Sequence, residues 1–354
     1  MTTGQERFAP QPRERELAAD LLQVLERHTA MSGLAYAVPP VALSGGFWAA
    51  LYGFRLAHGP KELSGDLVAR VMPTDEEHCQ REARMQAAAA GAGLPAPRIH
   101  FTGGREAGHG RPFIIMDRAP GGTLASGLDW REKVRALASM PVMLAETMAR
   151  LHALDPAVVA ESQAGVGVAT VLEELAERIR PLALESFASA VAWLNEHRPV
   201  ERTRVICHGD LHPFNLVIEN GRASAVLDWT NAVLADPAYD AAYTFQLLAL
   251  WPVAVPGLPR GLLKHAAGRL AARRFLNEYR RRARVETGAL GWYEALHSLR
   301  LLTRVARWRT GITHPPRARN HPWQLAAVDA AAAFRRHTGI SMELPPAPER
   351  AVSS

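Results

Sequence analysis

Residues 205–229 read VICHGDLHPFNLVIENGRASAVLDW, and the rest of the chain is organised around them. An apolar run, Val205-Ile206-Cys207, predicts a short strand. It ends in a tight polar turn, His208-Gly209-Asp210-Leu211-His212-Pro213-Phe214-Asn215. A hairpin follows: Leu216-Val217-Ile218, an Asn220-Gly221 turn, then residues 223–227. Asn-Gly between two apolar runs is the strongest short-range hairpin signal, because both central residues of the favoured turn take positive φ. The hairpin is expected to fold Asp228 back beside Asp210 and Asn215, so that three oxygen-bearing side chains converge where strands end.

That set of groups suits phosphoryl transfer. One carboxylate, Asp210, orients an acceptor hydroxyl and receives its proton, while an amide oxygen and a second carboxylate, Asn215 and Asp228, hold magnesium on the phosphates. A buried polar turn capped by its own Asp and Asn is the alternative reading of the same residues. The stretch resembles the catalytic motif of the aminoglycoside phosphotransferase and choline kinase family: His208-Gly209-Asp210, four residues, Asn215, then Leu227-Asp228-Trp229. Protein kinases use a related pair of elements. The resemblance implies an α+β, protein-kinase-like bilobal fold, with a small antiparallel-sheet N-lobe and a mainly helical C-lobe.

Composition is compatible with this. The 354 residues suffice for two lobes and a sizeable core. The first residues are polar and charged, unlike a signal peptide, and no apolar run reaches membrane-spanning length. Cys79 and Cys207 lie far apart and show no metal-ligand spacing, so a reduced, cytoplasmic setting is expected. Cys207 ends an apolar strand and reads as a small core residue. The net charge of +6 is unevenly placed. Residues 241–354 carry 18 Lys and Arg against 6 Asp and Glu, a net of +12, whereas residues 1–240 carry 23 against 29, a net of −6.

Upstream, residues 13–29 have helical apolar spacing at Leu17, Leu21, Leu22, Val24 and Leu25, and read as a helix packed on the outside of the first lobe. Pro39-Pro40 reads as the end of a linker, and three strands are expected over residues 41–43, 50–57 and 66–72. Ser44-Gly45-Gly46-Phe47 lies between the first two. A Gly pair there lets backbone N–H groups approach phosphate oxygens, and the run resembles the family's nucleotide-covering loop, although Trp48-Ala49 stands where Ser-Asn is common. Arg70 stands on the third strand where the family commonly has a lysine for the α- and β-phosphates; its planar fork can also take phosphate. A surface role for Arg70 is the alternative. The nearest lysine, Lys61, is in the preceding loop. Glu82, on a helix predicted over residues 74–90, is the candidate partner of Arg70 or a solvated helix charge. Strands are expected over residues 98–102 and 112–118. In the family the second of these runs into the hinge, so the resemblance places Met116, Asp117 and Ala119 at the adenine edge, with the Asp117 carbonyl and the Ala119 N–H as its hydrogen-bonding groups.

Downstream, helices are expected over residues 130–153, 171–179 and 184–197, with a linker over residues 156–167. Further helices are expected over residues 243–250, 262–284, 289–310 and 323–338. His152 reads as a packed helix-end residue. Asp236-Pro237 is a helix-start signal, and Asp236 and Asp240 match acids that brace the family's catalytic region. On the helix over 289–310, Leu296, Leu299, Leu302 and Val305 are expected to face inward and Arg300, Arg304, Arg307 and Arg309 elsewhere. The chain divides into an N-terminal extension (1–34), a nucleotide-binding N-lobe (35–120), a catalytic core (121–240), a helical acceptor-binding part (241–344) and a tail (345–354).

These readings point to an ATP-dependent kinase, with GTP left open, that uses magnesium to phosphorylate a hydroxyl of a small molecule. Aminoglycosides are polycations usually met by acidic side chains, and the segment expected to bind the acceptor is basic. A neutral or anionic alcohol is therefore favoured, with an aminoglycoside or macrolide antibiotic as the alternative acceptor. A catalytically silent, kinase-like binding protein is a further alternative, motivated by Arg70. His212 could touch the acceptor or simply serve the turn. The basic helix over 262–284 raises nucleic-acid binding, but no recognised motif accompanies it and a solvated helix face is expected. No membrane partner is expected, and the oligomeric state is not legible.

Overall fold

The computed structural model describes residues 12–43, 49–73, 76–104, 110–124, 128–160, 167–250, 262–283, 288–313 and 322–346. The nucleotide-loop candidates Ser44, Gly45, Gly46 and Phe47 lie outside them, as do residues 1–11 of the N-terminal extension and 347–354 of the tail. The chain forms two compact units, one of Met1–Asp129 with Leu216–Thr230, the other of Trp130–Asn215 with Asn231–Ser354. The hairpin thus belongs with the N-terminal sheet, whereas the sequence boundaries place it in the catalytic core.

The first unit is built on a five-stranded antiparallel sheet in the order β1-β2-β3-β5-β4. Its strands are β1 (Ala35–Ala42), β2 (Ala50–His58), β3 (Leu67–Val71), β4 (Ile99–Gly103) and β5 (Phe113–Asp117). The first strand begins six residues before the expected start and runs through Pro39 and Pro40. Prolines are tolerated there because β1 lies at the edge of the sheet and its pairing with β2 is irregular, with register shifts between Tyr36 and Val38 and between Val38 and Val41.

The central strand β3 is buried on both faces, and alternation sorts its side chains. Leu67, Ala69 and Val71 join Leu17, Leu21, Val24 and Leu25 of helix α1 (Pro12–Thr29) in one core. Met72 joins Cys79 and Ala83 of helix α2 (Glu76–Gly91) in another. Arg70 shares the parity of Met72 and so faces the α2 side. The expected hairpin forms as β7 (Leu216–Glu219) and β8 (Arg222–Val226), with Asn220 at φ +50° and Gly221 at φ +77°, the positive pair an Asn-Gly turn needs. It is tied into the first unit by the bridge between Gly122 and Ile218 and by a hydrogen bond from the Val226 N–H to the Pro95 carbonyl at 2.7 Å.

The second unit is mainly helical. Its helices are α3 (Trp130–His152), α4 (Ala157–Ala160), α5 (Val168–Ile179), α6 (Glu185–Glu196), α7 (Ala238–Leu250), α8 (Leu262–Ala283), α9 (Leu290–Arg309) and α10 (Pro322–Thr338). Only α4, a single turn inside the expected linker, had no counterpart in the sequence reading. The strand β6 (Val205–Cys207) pairs antiparallel with β9 (Val233–Ala235), a three-residue strand too short to announce itself. Helix α9 packs against α10, α7 and α6, and α8 against α3 and α7. The largest core gathers Phe187, Tyr239, Tyr293, Leu296, Leu299, Leu302 and Phe334 from α6, α7, α9 and α10. The basic face of α8 is partly self-neutralised, since Glu278 pairs with both Arg281 and Arg282. Among the described residues no helix is long and apolar enough to cross a membrane.

Candidate active site

The sequence-predicted residues gather in two constellations, one in each unit. In the first, Arg70 is the hub. Its Nη1 lies 3.0 Å from Glu82 Oε1 and its Nη2 3.0 Å from Asp228 Oδ1. Arg70 is 7% exposed and Glu82 1%, so neither the surface reading of Arg70 nor the solvated reading of Glu82 describes them. Glu82 Oε1 makes its contact as a charge, without a directed hydrogen bond. The directed partners of Glu82 are the Trp229 backbone and Thr230, whose hydroxyl lies 2.8 Å from Oε2 and also 2.8 Å from Asp228 Oδ1. Burial works against the Arg70 charge, but Glu82 and Asp228 overrule it and raise the guanidinium pKa. Burial pushes the Glu82 carboxyl upward, and Arg70 pulls the other way.

Asp228 is held in the left-handed region at φ +65°, a conformation that a residue with a side chain adopts at some cost. Its surroundings fix it: Trp229 is 1% exposed and its Nε1 donates to the Val226 carbonyl at 3.1 Å. Thr230 was not singled out from sequence. Its position two residues beyond Asp228, within hydrogen-bonding reach of that carboxylate, is the signal that could have found it.

Of the hinge candidates, Met116 pairs with Ile99 across the sheet and is buried. Asp117 ends β5, where its N–H donates to the Arg98 carbonyl and its carboxylate lies 2.7 Å from His100 Nε2. Ala119 follows in the irregular segment before the Gly122 bridge.

In the second unit the turn after β6 is gripped by one face of α7. Asp240 takes the His208 N–H on Oδ2 at 2.7 Å and the Gly209 N–H on Oδ1 at 2.6 Å. Tyr243, one helical turn on, donates its hydroxyl to Asp210 Oδ1. Thr244 donates to the Leu211 carbonyl at 2.7 Å. Residues three and four apart on a helix share a face, so Asp240, Tyr243 and Thr244 reach the same turn, and the sequence spacing could have nominated the latter two. The turn also needs Gly209. It sits at φ +74°, and a Cβ there would lie 2.1 Å from the Asn231 carbonyl oxygen. Asn215 closes the turn, its Nδ2 donating to the Asp210 carbonyl at 2.9 Å.

The brace is itself braced. His152 lies 3.2 Å from Asp240 Oδ2 through Nε2 and 2.7 Å from the Tyr279 hydroxyl through Nδ1. Burial alone would raise the Asp240 pKa, but its bonds from His152 and from the Gly209 N–H, with the nearby histidines, lower it. Cys207 completes a trio with His152 and Asp240 whose ligand atoms lie within 4.8 Å of one another. Burial holds the Cys207 thiol pKa well above its ordinary value. Both Asp240 oxygens are engaged by backbone N–H groups, so the trio serves as a hydrogen-bonded support. Asp236 caps α7 through the Ala238 N–H at 2.8 Å. Tyr243, whose hydroxyl is pressed against the Asp210 carboxylate, has a pKa raised by burial and then by that charge.

The profile of the phosphotransferase enzyme family matches residues 54–285. Over 174 residues the chain is 27% identical to acyl-CoA dehydrogenase family member 10 of Mus musculus, covering 47% of this chain and 16% of that protein. It thus spans about a sixth of the length of that curated relative. Its fold is similar to that of a protein of Ralstonia eutropha described as a candidate aminoglycoside phosphotransferase, with a TM-score of 0.63, 22% identity and coverage of 92% of this chain and 99% of that one. It is also similar to aminoglycoside phosphotransferase APH(4)-Ia in a ternary complex with AMP-PNP and hygromycin B, with a TM-score of 0.59, 20% identity and coverage of 90% and 98%. At these identities the solved structures speak for the fold, which is protein-kinase-like. With the family profile spanning both constellations and well over half of its residues, the chain belongs to the phosphotransferase enzyme family.

Proposed function

We propose that the protein is a magnesium- and ATP-dependent phosphotransferase that moves the γ-phosphate to a hydroxyl of a small molecule, and that this acceptor is neutral or anionic. The observation that carries the reading is the grip of α7 on the catalytic turn. Two α7 side chains, Asp240 and Thr244, and a required glycine fix the backbone around Asp210, whose side chain is 18% exposed and takes the hydroxyl of a third, Tyr243. A fixed, partly exposed carboxylate at a strand end is what orienting a hydroxyl requires. Tyr243 and His212 both meet Asp210 on Oδ1, which supports a reading in which Oδ2 takes the acceptor hydroxyl. Asp210 orients that hydroxyl and takes its proton late, as the new O–P bond forms.

The chemistry of the donor set fits magnesium. Asn215 spends its amide nitrogen on the Asp210 carbonyl, which leaves its oxygen as the metal-facing atom. Asp228 adds a carboxylate at 28% side-chain exposure, and oxygen donors of this kind suit Mg2+. When bound, ATP supplies the transferred group and magnesium neutralises its phosphates. On the nucleotide side, Arg70 is assigned to the phosphates, Glu82 to holding Arg70, and Ser44, Gly45, Gly46 and Phe47 to covering the nucleotide. Met116, Asp117 and Ala119 are assigned to the adenine edge.

One observation favours a second reading. Arg70 is already spanned between Glu82 and Asp228, as it would be in a binding protein that has given up catalysis. The two are separated by measuring ADP release from magnesium-ATP across a panel of neutral alcohols, anionic alcohols, aminoglycosides and macrolides. The proposal expects acceptor-dependent release that needs magnesium and disappears in Asp210→Ala. Tight ATP binding with no release for any acceptor would instead support the silent binding protein.

A further inference from the structure

Against the turn that carries Asp210 stand three side chains whose chemistry is that of metal ligands. His152 comes from α3, Cys207 from β6 and Asp240 from α7, and one ligand atom of each lies within 4.8 Å of the other two. All three residues are buried. An imidazole, a thiolate and a carboxylate are the donors zinc takes, through bonds of about 2.0–2.3 Å. At tetrahedral angles such bonds set neighbouring ligand atoms about 3.4–3.6 Å apart. His152 Nε2 and Asp240 Oδ2, separated by 3.2 Å, already span such an edge.

The hydrogen bonds of this support can admit a cation without leaving a group stranded. The lowered pKa of Asp240 keeps it ionised, so Nε2, which faces Oδ2, carries the His152 ring proton. A carboxylate oxygen has two lone pairs, and Oδ2 can keep the His208 N–H on one while a metal replaces the His152 proton on the other. His152 Nδ1 lies 2.7 Å from the Tyr279 hydroxyl, whose oxygen can accept the ring proton once it moves to Nδ1. A partner of this kind fixes the tautomer of a metal-bound histidine. Cys207 Sγ makes long contacts, 3.8 Å to the Ala235 carbonyl and 3.7 Å to the Asp236 carbonyl, and gives up little on losing its proton. Burial, then the Asp240 charge, keeps that thiol protonated, and a dication between the two reverses both effects. Binding of Zn2+ thus releases the Sγ proton and shifts the ring proton from Nε2 to Nδ1. The buried charge goes from the single negative charge of Asp240 to neutrality, with Zn2+ balanced by thiolate and carboxylate.

His152 also lines a cavity of about 800 Å³ within the second unit, walled by Ala149 of α3, Val205 of β6, and Asp236 and Pro237 just before α7. The cavity gives the ion a path and leaves room for a water as fourth ligand, the open position of zinc sites with three protein ligands.

We propose that His152, Cys207 and Asp240 bind one Zn2+, and that the bound ion inhibits turnover through the turn carrying Asp210. Cys207 directly precedes that turn, and Asp240 holds its His208 and Gly209 N–H groups. Drawing ligand atoms together from separations of up to 4.8 Å to about 3.6 Å moves groups tied to Asp210 by up to about 1 Å. Metal binding stands apart from the phosphotransferase reading; inhibition rests on it.

The test has two arms on the full chain. The first titrates the metal-free protein with Co2+, a spectroscopic stand-in for Zn2+, and then displaces it with Zn2+. One equivalent is expected to give a thiolate-to-cobalt charge-transfer band and the d–d bands of a tetrahedral ion, both abolished by Zn2+. Cys207→Ala should lose the charge-transfer band and Cys79→Ala should keep it. Tyr279→Phe retains the packed ring and should weaken Zn2+ binding by about 10- to 100-fold, the usual cost of removing an outer-shell partner. It tests the site even if Cys207→Ala does not fold. The second arm is acceptor-dependent ADP release at saturating magnesium, each variant compared with and without Zn2+. Saturation with Zn2+ should lower the wild-type kcat by about 100-fold, whereas Cys207→Ala should hold its own zinc-free rate. Cobalt binding through Cys207 in a chain that never turns over would uphold the site while overturning the kinase reading. The same binding without inhibition of an active chain would uphold the site and overturn its control of the turn. No charge-transfer band in the wild type, a band that survives Cys207→Ala, or Zn2+ affinity indifferent to Tyr279→Phe would overturn the site.

Discussion

Asp240→Asn isolates the device that holds the turn carrying Asp210. The wild-type carboxylate accepts from two backbone N–H groups, at 2.7 Å from His208 and 2.6 Å from Gly209. Asparagine keeps one oxygen and turns an amide NH2 toward the other N–H, donor against donor. A hydrogen bond to a charged group is worth about 1.5–3 kcal/mol, and a buried N–H left unsatisfied costs about 1–3 kcal/mol. Relief from burying the charge returns part of this, so a net loss of about 3 kcal/mol is expected. It should be read as a lower urea midpoint at unchanged slope. Because the turn also carries Asp210, kcat should fall by about 100-fold, the usual cost of a displacement near 1 Å. The pH dependence has a definite sign. The Asp240 pKa is lower in the folded state, so its stabilisation is complete above about pH 4 and vanishes as pH falls through the folded value. Wild type and variant should differ most at neutral pH and converge in acid. A variant with wild-type stability at pH 7 and undiminished kcat would refute the brace.

Arg70→Met should cost about 3–5 kcal/mol, because it leaves Glu82 buried with its charge unpaired. The Glu82 pKa, already raised, rises further in the variant, so the deficit shrinks as pH falls; equal deficits at pH 5 and pH 8 would contradict the pairing. Gly209→Ala forces a Cβ to 2.1 Å from a backbone oxygen, and its kcat should collapse while Gly221→Ala, at an open turn, leaves kcat intact. Tyr243→Phe removes the hydroxyl on Asp210 Oδ1 and should lower kcat by about 10-fold, the lower end for a hydrogen bond to a charged group.

The hairpin, the longer helices of the second unit and the tight turn around Asp210 were legible because local rules decide them: an Asn-Gly turn, apolar periodicity, a motif of fixed spacing. The run of β1 through Pro39 and Pro40 was not, because proline reads as a breaker until the strand is known to be an edge. Nor was β9, whose three residues have no periodicity to read. At the site, Arg70 and Glu82 were nominated as partners, but their burial, and the tie to Asp228 across 158 residues of chain, exist only in the fold. Arg300 was expected away from the inward face formed by Leu296, Leu299, Leu302 and Val305. It turns inward since Tyr239 and Asn231 offer it hydrogen bonds that no local pattern announces.

The most direct test of the central claim is acceptor-dependent ADP release by Asp210→Asn, which keeps the shape of the side chain and removes its charge. The prediction is a fall in kcat of about 10²- to 10⁴-fold, the worth of a positioned general base, with the thermal midpoint little changed. A variant that turns over at the wild-type rate would contradict the assignment of Asp210 and the function built on it.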